Sequence, residues 1–163
     1  EESNLRRLAG ELGIRGRATF LPNRPDFSDA LAAVDAFCLP SLQQGLGTIM
    51  LEAMSLGRPV IASAVGGVCS AVRDGETGLV VPPGDSTALA RGVLSLLDDP
   101  VRARAIGEAG RAEVMARFGT DAMVKRTAAV YNEVIEQAGM TPAAVEQSRQ
   151  SRQSRQSREN GTG

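Results

Sequence analysis

The chain has 163 residues, the size of one domain. Its 42% hydrophobic and 23% charged residues suit a globular domain with its own core, and its 3% aromatics are too few to stack single-stranded nucleic acid. It contains no histidine, which removes Ser-His and Cys-His nucleophile pairs, His-held metals and imidazole acid–base catalysis together. Cys38 and Cys69 cannot make a four-thiolate site, and their apolar or small neighbours predict reduced, buried thiols of a cytoplasmic protein. The net charge of −1 is unevenly spread. Residues 1–146 keep 14 of the 18 basic and 18 of the 19 acidic residues, so the body carries no footprint for a nucleic-acid backbone. No apolar run approaches the ~18 residues of a membrane span. The Glu1-Glu2-Ser3-Asn4 start has neither a leader pattern nor an initiating Met, and reads as a piece of something longer.

In chain order, Leu5, Leu8 and Leu12 recur at helical spacing over 1–12, and Gly13 is a stop. Ala18–Leu21 is a short apolar run closed by Pro22, predicted as a strand. A short helix follows from Ser28 through Val34, then a strand over Ala36–Leu39. Thr48–Leu56 is predicted helical, with Ile49, Met50, Ala53 and Met54 on its apolar face and Gly57 ending it. Val60–Ala62 and Leu79–Val81 are further strands, separated by the Gly66-Gly67 turn and a short helix. Asp85-Ser86-Thr87 caps a helix reaching Leu97. A second helical segment covers Val101–Phe118, weakened by Gly107 and Gly110 at about 1 kcal/mol each against Ala. A third covers Thr120–Gln137, with Met123, Val130, Tyr131 and Val134 as its apolar, packing face. Short all-apolar strands alternating with helices indicate an α/β fold, an open parallel sheet covered on both faces. Gln-Ser-Arg repeats four times over 147–158, so 141–163 is predicted to be a disordered tail.

The stretch that carries chemistry runs Pro40-Ser41-Leu42-Gln43-Gln44-Gly45-Leu46-Gly47-Thr48-Ile49-Met50-Leu51-Glu52. A strand ends, a glycine-rich loop follows and a helix begins. In an open parallel sheet, ligands bind beyond the carboxyl ends of the strands. The unpaired N–H groups of a helix start favour an anion there, and Gly45 and Gly47 let a phosphate reach the backbone. The helix dipole is worth only ~0.3–1 kcal/mol, so direct N–H bonds must supply most of the affinity. Glu52 lies five residues past Gly47 among residues expected to be buried, where a carboxylate needs partners. A ribose diol suits it, and so do nearby backbone N–H groups at the helix start. Asp74-Gly75-Glu76-Thr77-Gly78 is either a loop lining the same cleft or a plain turn.

These residues have a family likeness. Gly45-Leu-Gly-Thr-Ile-Met-Leu-Glu-Ala-Met-Ser-Leu-Gly-Arg-Pro-Val-Ile-Ala-Ser63, then Val65-Gly66-Gly67, then Asp74 through Asp85, resemble the family 4 glycosyltransferases. The likeness runs from about Leu5 to Val134. It implies a retaining enzyme of the GT-B fold with a nucleotide-diphosphate-sugar donor, and it places residues 1–140 in the carboxyl-terminal, donor-binding, Rossmann-like domain. By the resemblance, Gly45, Leu46, Gly47 and Thr48 hold donor phosphate or sugar and Glu52 binds the donor ribose; Ser41 is either a further donor contact or a strand-end hydroxyl that satisfies local backbone. The family's other glutamate, which faces the donor sugar at the catalytic position, falls on Gln44, which keeps a carbonyl and loses the charge. A third family glutamate falls on Ser70. No cofactor or metal is implied, the nucleotide sugar being substrate.

The resemblance also implies an amino-terminal acceptor domain, and an Arg and Lys for the diphosphate, ahead of residue 1. Peripheral membrane association is expected of the full-length protein alone. Within this chain, Arg58 and Arg73 are the candidate substitutes for that basic pair, or else surface charges. The rival reading is a non-catalytic nucleotide-sugar-binding or interaction module derived from a decayed transferase, which Gln44 and Ser70 favour.

Overall fold

The computed structural model describes residues 2–21 and 27–138. The tail expected over 141–163 lies outside the described residues. The chain divides into two compact units, 1–111 and 112–163.

The first unit opens with α1 (Glu2–Glu11). Gly13, with φ at +68°, ends it, and the Ile14 N–H returns to the Ala9 carbonyl. Leu5, Leu8 and Leu12 stay exposed, and Ala9 is the buried residue of the helix. Ala18–Leu21 is not a strand. A strand needs a neighbour to take its ladder hydrogen bonds, and this segment has none among the described residues; its Phe20 ring lies 4.4 Å from the Arg6 guanidinium.

Three parallel strands follow in sequential order: β1 (Phe37–Leu39), β2 (Val60–Ser63) and β3 (Leu79–Val81). Phe37 pairs with Val60, and Ile61 with Leu79. Helices α2 (Phe27–Ala33) and α3 (Thr48–Ser55) flank β1 in the chain, and α4 (Val68–Ala71) lies between β2 and β3. The central strand β2 is wholly buried, as a sheet covered on both faces requires. Its side chains alternate. Ile61 joins Leu79, Val81, Leu96, Ala103 and Ile106 in one core cluster, built with α5 (Ser86–Leu97) and the first part of α6 (Pro100–Arg117). Val60 and Ala62 face the other way, toward the side where α3 contributes the fully buried Met50, Ala53 and Met54.

Gly107 and Gly110 serve packing, not helix weakness. A Cβ on Gly107 would stand 2.2 Å from the Gly57 carbonyl oxygen, and one on Gly110 would stand 2.7 Å from that of Thr77. Their bare backbone lets α6 press onto the turns that lead into β2 and β3.

The second unit holds the end of α6 and α7 (Thr120–Gln137). Arg117 pairs with Glu113 at 2.5 Å. No residue of α7 is buried, and Met123, Val130, Tyr131 and Val134 are all more than half exposed, against the expected packing face. Both cysteines are also exposed, contrary to the expected burial. Cys38 sits on β1, whose short apolar strand is only half covered; neighbouring atoms still desolvate its thiol enough to push its pKa up.

Candidate functional site at the carboxyl ends of the strands

Leaving β1, the chain turns through Pro40 and Ser41 into the loop 42–47. Gly47 has φ +71° and ψ +60°, a left-handed conformation that suits glycine, and it starts α3 without any side-chain cap. Its carbonyl accepts from the Met50 and Leu51 N–H groups. The preceding helical N–H groups, of Thr48 and Ile49, have no partner within the helix. Residues Gly45, Leu46 and Thr48 are exposed around this uncapped start, and Gly47 is buried beneath it.

A second glycine loop locks the first. Gly66, at φ +50°, lies so close to loop 42–47 that a Cβ there would stand 1.8 Å from the Gln44 carbonyl oxygen. The Gly67 N–H donates to the Gly45 carbonyl at 3.0 Å. The two loops therefore meet backbone to backbone, one after β1 and one after β2. Ser70 is exposed on α4 just beyond.

Two side chains complete the surface. The Ser41 hydroxyl donates to Oε1 of Gln44 at 3.3 Å, and both residues are half-buried. Glu52 is half-buried on α3, one turn past the loop, and its Oε1 accepts a short hydrogen bond from the Ser28 hydroxyl of α2. That partner is neither of the two expected from the sequence. It belongs to the packing of α2 on α3, which no local pattern around Glu52 announces. A carboxylate has about four acceptor positions, so Ser28 leaves Glu52 able to take further hydroxyls.

A cavity of about 140 Å³ opens beside β2 and β3 at this same end, between Pro40, Ser63, Gly84 and Asp85. Asp85 caps α5 as expected, its carboxylate accepting from the Ala88 N–H at 2.8 Å. Sequence reasoning missed Ser63, a buried polar residue ending an apolar strand.

Three candidates whose alternative was a surface or plain-turn role lie elsewhere. Arg58 stands in the turn that leads into β2, and Arg73 in the segment that leads into β3. Both are therefore at the amino ends of the strands, across the sheet from the glycine loops, and neither replaces a diphosphate-binding pair. Arg73 is paired with Glu76 at 2.9 Å. The Asp74–Gly78 segment is at that far end too, and is a plain turn. Its Gly75 N–H donates to the Gly78 carbonyl, Asp74 accepts from the Val80 N–H, and buried Thr77 accepts from the Arg73 N–H. Among the described residues, no three His, Cys, Asp or Glu side chains stand together as a metal site would need, and no helix is long and apolar enough to cross a membrane.

Strands that run parallel, with glycine backbones and a bare helix start beyond their carboxyl ends, define a Rossmann-like half of the GT-B fold. The chain belongs to the glycosyl transferases group 1, whose family model matches residues 1–113. It is 38% identical over 136 residues to a D-inositol 3-phosphate glycosyltransferase of Thermobispora bispora, covering 82% of this chain and 32% of that protein. Among solved structures it is similar to sucrose-phosphate synthase from Thermosynechococcus elongatus, at 34% identity and TM-score 0.76, covering 82% of this chain and 34% of that one. It is also similar to Anabaena HepE in complex with UDP, at 27% identity and TM-score 0.77, covering 80% of this chain and 36% of that one. The chain spans about a third of the length of the curated relatives it matches.

Proposed function

We propose that this chain is the donor-binding part of a glycosyltransferase that moves a hexose from a nucleoside-diphosphate-sugar to an acceptor hydroxyl, with retention of configuration. The observation that carries the reading is the pair of interlocked glycine loops around the uncapped start of α3, with half-buried Glu52 one turn below. The HepE relative in complex with UDP supports a nucleotide at such a site.

In this reading the N–H groups around Gly45, Leu46, Gly47 and Thr48 face the donor phosphates. Negative charge builds on the diphosphate as the sugar bond breaks, and fixed N–H dipoles favour that build-up without reorganising. Glu52 takes the ribose hydroxyls on the acceptor positions that Ser28 leaves. Gln44 faces the sugar through its carboxamide, held by Ser41. The reading assigns no metal and no cofactor, a cytoplasmic location, and an acceptor domain outside this chain. The acceptor itself is not assigned. The second reading, a nucleotide-sugar-binding module without catalysis, is favoured by Gln44. A neutral amide whose oxygen is engaged by Ser41 cannot stabilise positive charge on a sugar as a carboxylate does.

The test is ligand-observed NMR of the chain with UDP, GDP, ADP and their sugar conjugates, repeated with Glu52→Ala. Binding of one nucleotide that is lost in the variant is expected. Binding by the variant at undiminished affinity would remove Glu52 from the site, and no binding by the folded chain would remove the site itself.

A further inference from the structure

A cavity of about 510 Å³ lies at the opposite end of the sheet, between the α3–β2 turn and α6. That volume is in the range of small-molecule sites. Its lining brings together Arg58, Arg104 and Arg111 with Asp35 and Glu108. Arg58 is half-buried and fixed: its Nη1 donates to the Val34 carbonyl at 3.2 Å and its Nε to the Leu56 carbonyl at 3.4 Å. Three of its five N–H donors remain for a ligand. Arg104, Glu108 and Arg111 recur at helical spacing on one face of α6. Among the described residues neither of these arginines has a hydrogen-bond or ion-pair partner, although Arg104 and Glu108 are one turn apart. The bare backbone of Gly107 against the Gly57 carbonyl holds α6 in place, so packing fixes the backbone of this wall, while Asp35, Arg104, Glu108 and Arg111 project from it as exposed side chains.

We propose that this pocket binds a phosphorylated polyol of sugar-phosphate size. The three guanidinium groups take the phosphate, matching its oxygens in forked pairs. Asp35 and Glu108 accept from the hydroxyls. The mixed charge selects this class: a polyanion would meet the two carboxylates with repulsion, whereas a single phosphate with hydroxyls uses both kinds of group. The site is distinct from the glycine loops and does not depend on what they bind.

The test is calorimetric titration of the whole chain with glucose 6-phosphate, glucose and inorganic phosphate, with amide NMR shifts to locate the ligand. Saturable binding of glucose 6-phosphate is expected, tighter than either part alone, with shifts at Gly57, Arg58 and residues 104–111. The exposed double substitution Arg104→Ala with Arg111→Ala should weaken it by at least about tenfold while leaving the circular dichroism spectrum unchanged. The single substitution Arg104→Glu should weaken it in the same direction. No saturable binding, an affinity no better than that of glucose or phosphate, shifts confined to Gly45–Thr48, or unchanged binding in both variants would each overturn the proposal.

Discussion

At the carboxyl ends of the strands, the surface offered to a ligand is mostly backbone. Gly45, Gly47, Gly66 and Gly67 carry no side chains, and the loops that hold them touch through a carbonyl and an N–H. At the amino ends, the surface is side chain. Three arginines and two carboxylates line a cavity together with the turn that ends α3. Both ends depend on a glycine that permits close approach, Gly66 at one and Gly107 at the other. The difference is what the approach exposes. Two loops pressed together leave N–H groups fixed in space, suited to charge that appears during a reaction. A helix pressed on a turn presents a row of long, adaptable cations, suited to a ligand that is simply held.

The comparison can be broken first at its glycines. Gly66→Ala must move the Gln44 carbonyl and adopt a left-handed backbone, so a loss of about 3 kcal/mol in urea denaturation is expected. A loss within experimental error would mean that the loops are not locked. Gly107→Ala should cost about 2 kcal/mol by pushing α6 off the Gly57 turn. It should loosen the arginine pocket and leave nucleotide binding intact, and parallel titrations at both ends would check that separation. Glu52→Ala should weaken nucleotide binding by about 2 kcal/mol, the scale of hydrogen bonds to a charged group, with the thermal midpoint nearly unchanged. Gln44→Glu, assayed by product formation in the whole protein, should raise the rate by about tenfold, or ~1.4 kcal/mol of barrier, by restoring a carboxylate at the sugar. A fall would mean that the amide suits its donor. Ser28→Ala is the mildest, at about 1 kcal/mol or less on binding, because it frees Glu52 to turn rather than removing it.

Much of this architecture was legible in the sequence because it is encoded locally. Gly57 after Met54, the Asp85 cap, and the apolar runs at Val60 and Leu79 each specify an element over a few residues, and each element forms there. What was not legible depends on pairing between distant segments. Ala18–Leu21 has a strand's composition and, among the described residues, no neighbour to bond. Arg58 and the Asp74–Gly78 turn follow helices in the chain, and only the parallel course of the strands shows that such segments return to the far end of the sheet. Gly107 and Gly110 read as defects within their helix and become reasons for its position once the facing carbonyls are seen. The glycine loop and Glu52 could be singled out from sequence alone, whereas the Ser28 partner of Glu52 could not, because it approaches from another helix.

The backbone character of the loops after β1 and β2 also limits how a lineage could retune them. A side chain at Gly66 or Gly67 would collide with loop 42–47, so these positions offer no room for adaptive variation. On the proposed reading of this site, preference for one ligand over another falls to the few neighbours that do project, Gln44, Leu46 and Ser70. By the resemblance, two of those three, Gln44 and Ser70, are where this chain parts from its family's pattern. The expected trace is substitutions gathered at these rim positions across related sequences over a constant floor, which an alignment of those sequences would check.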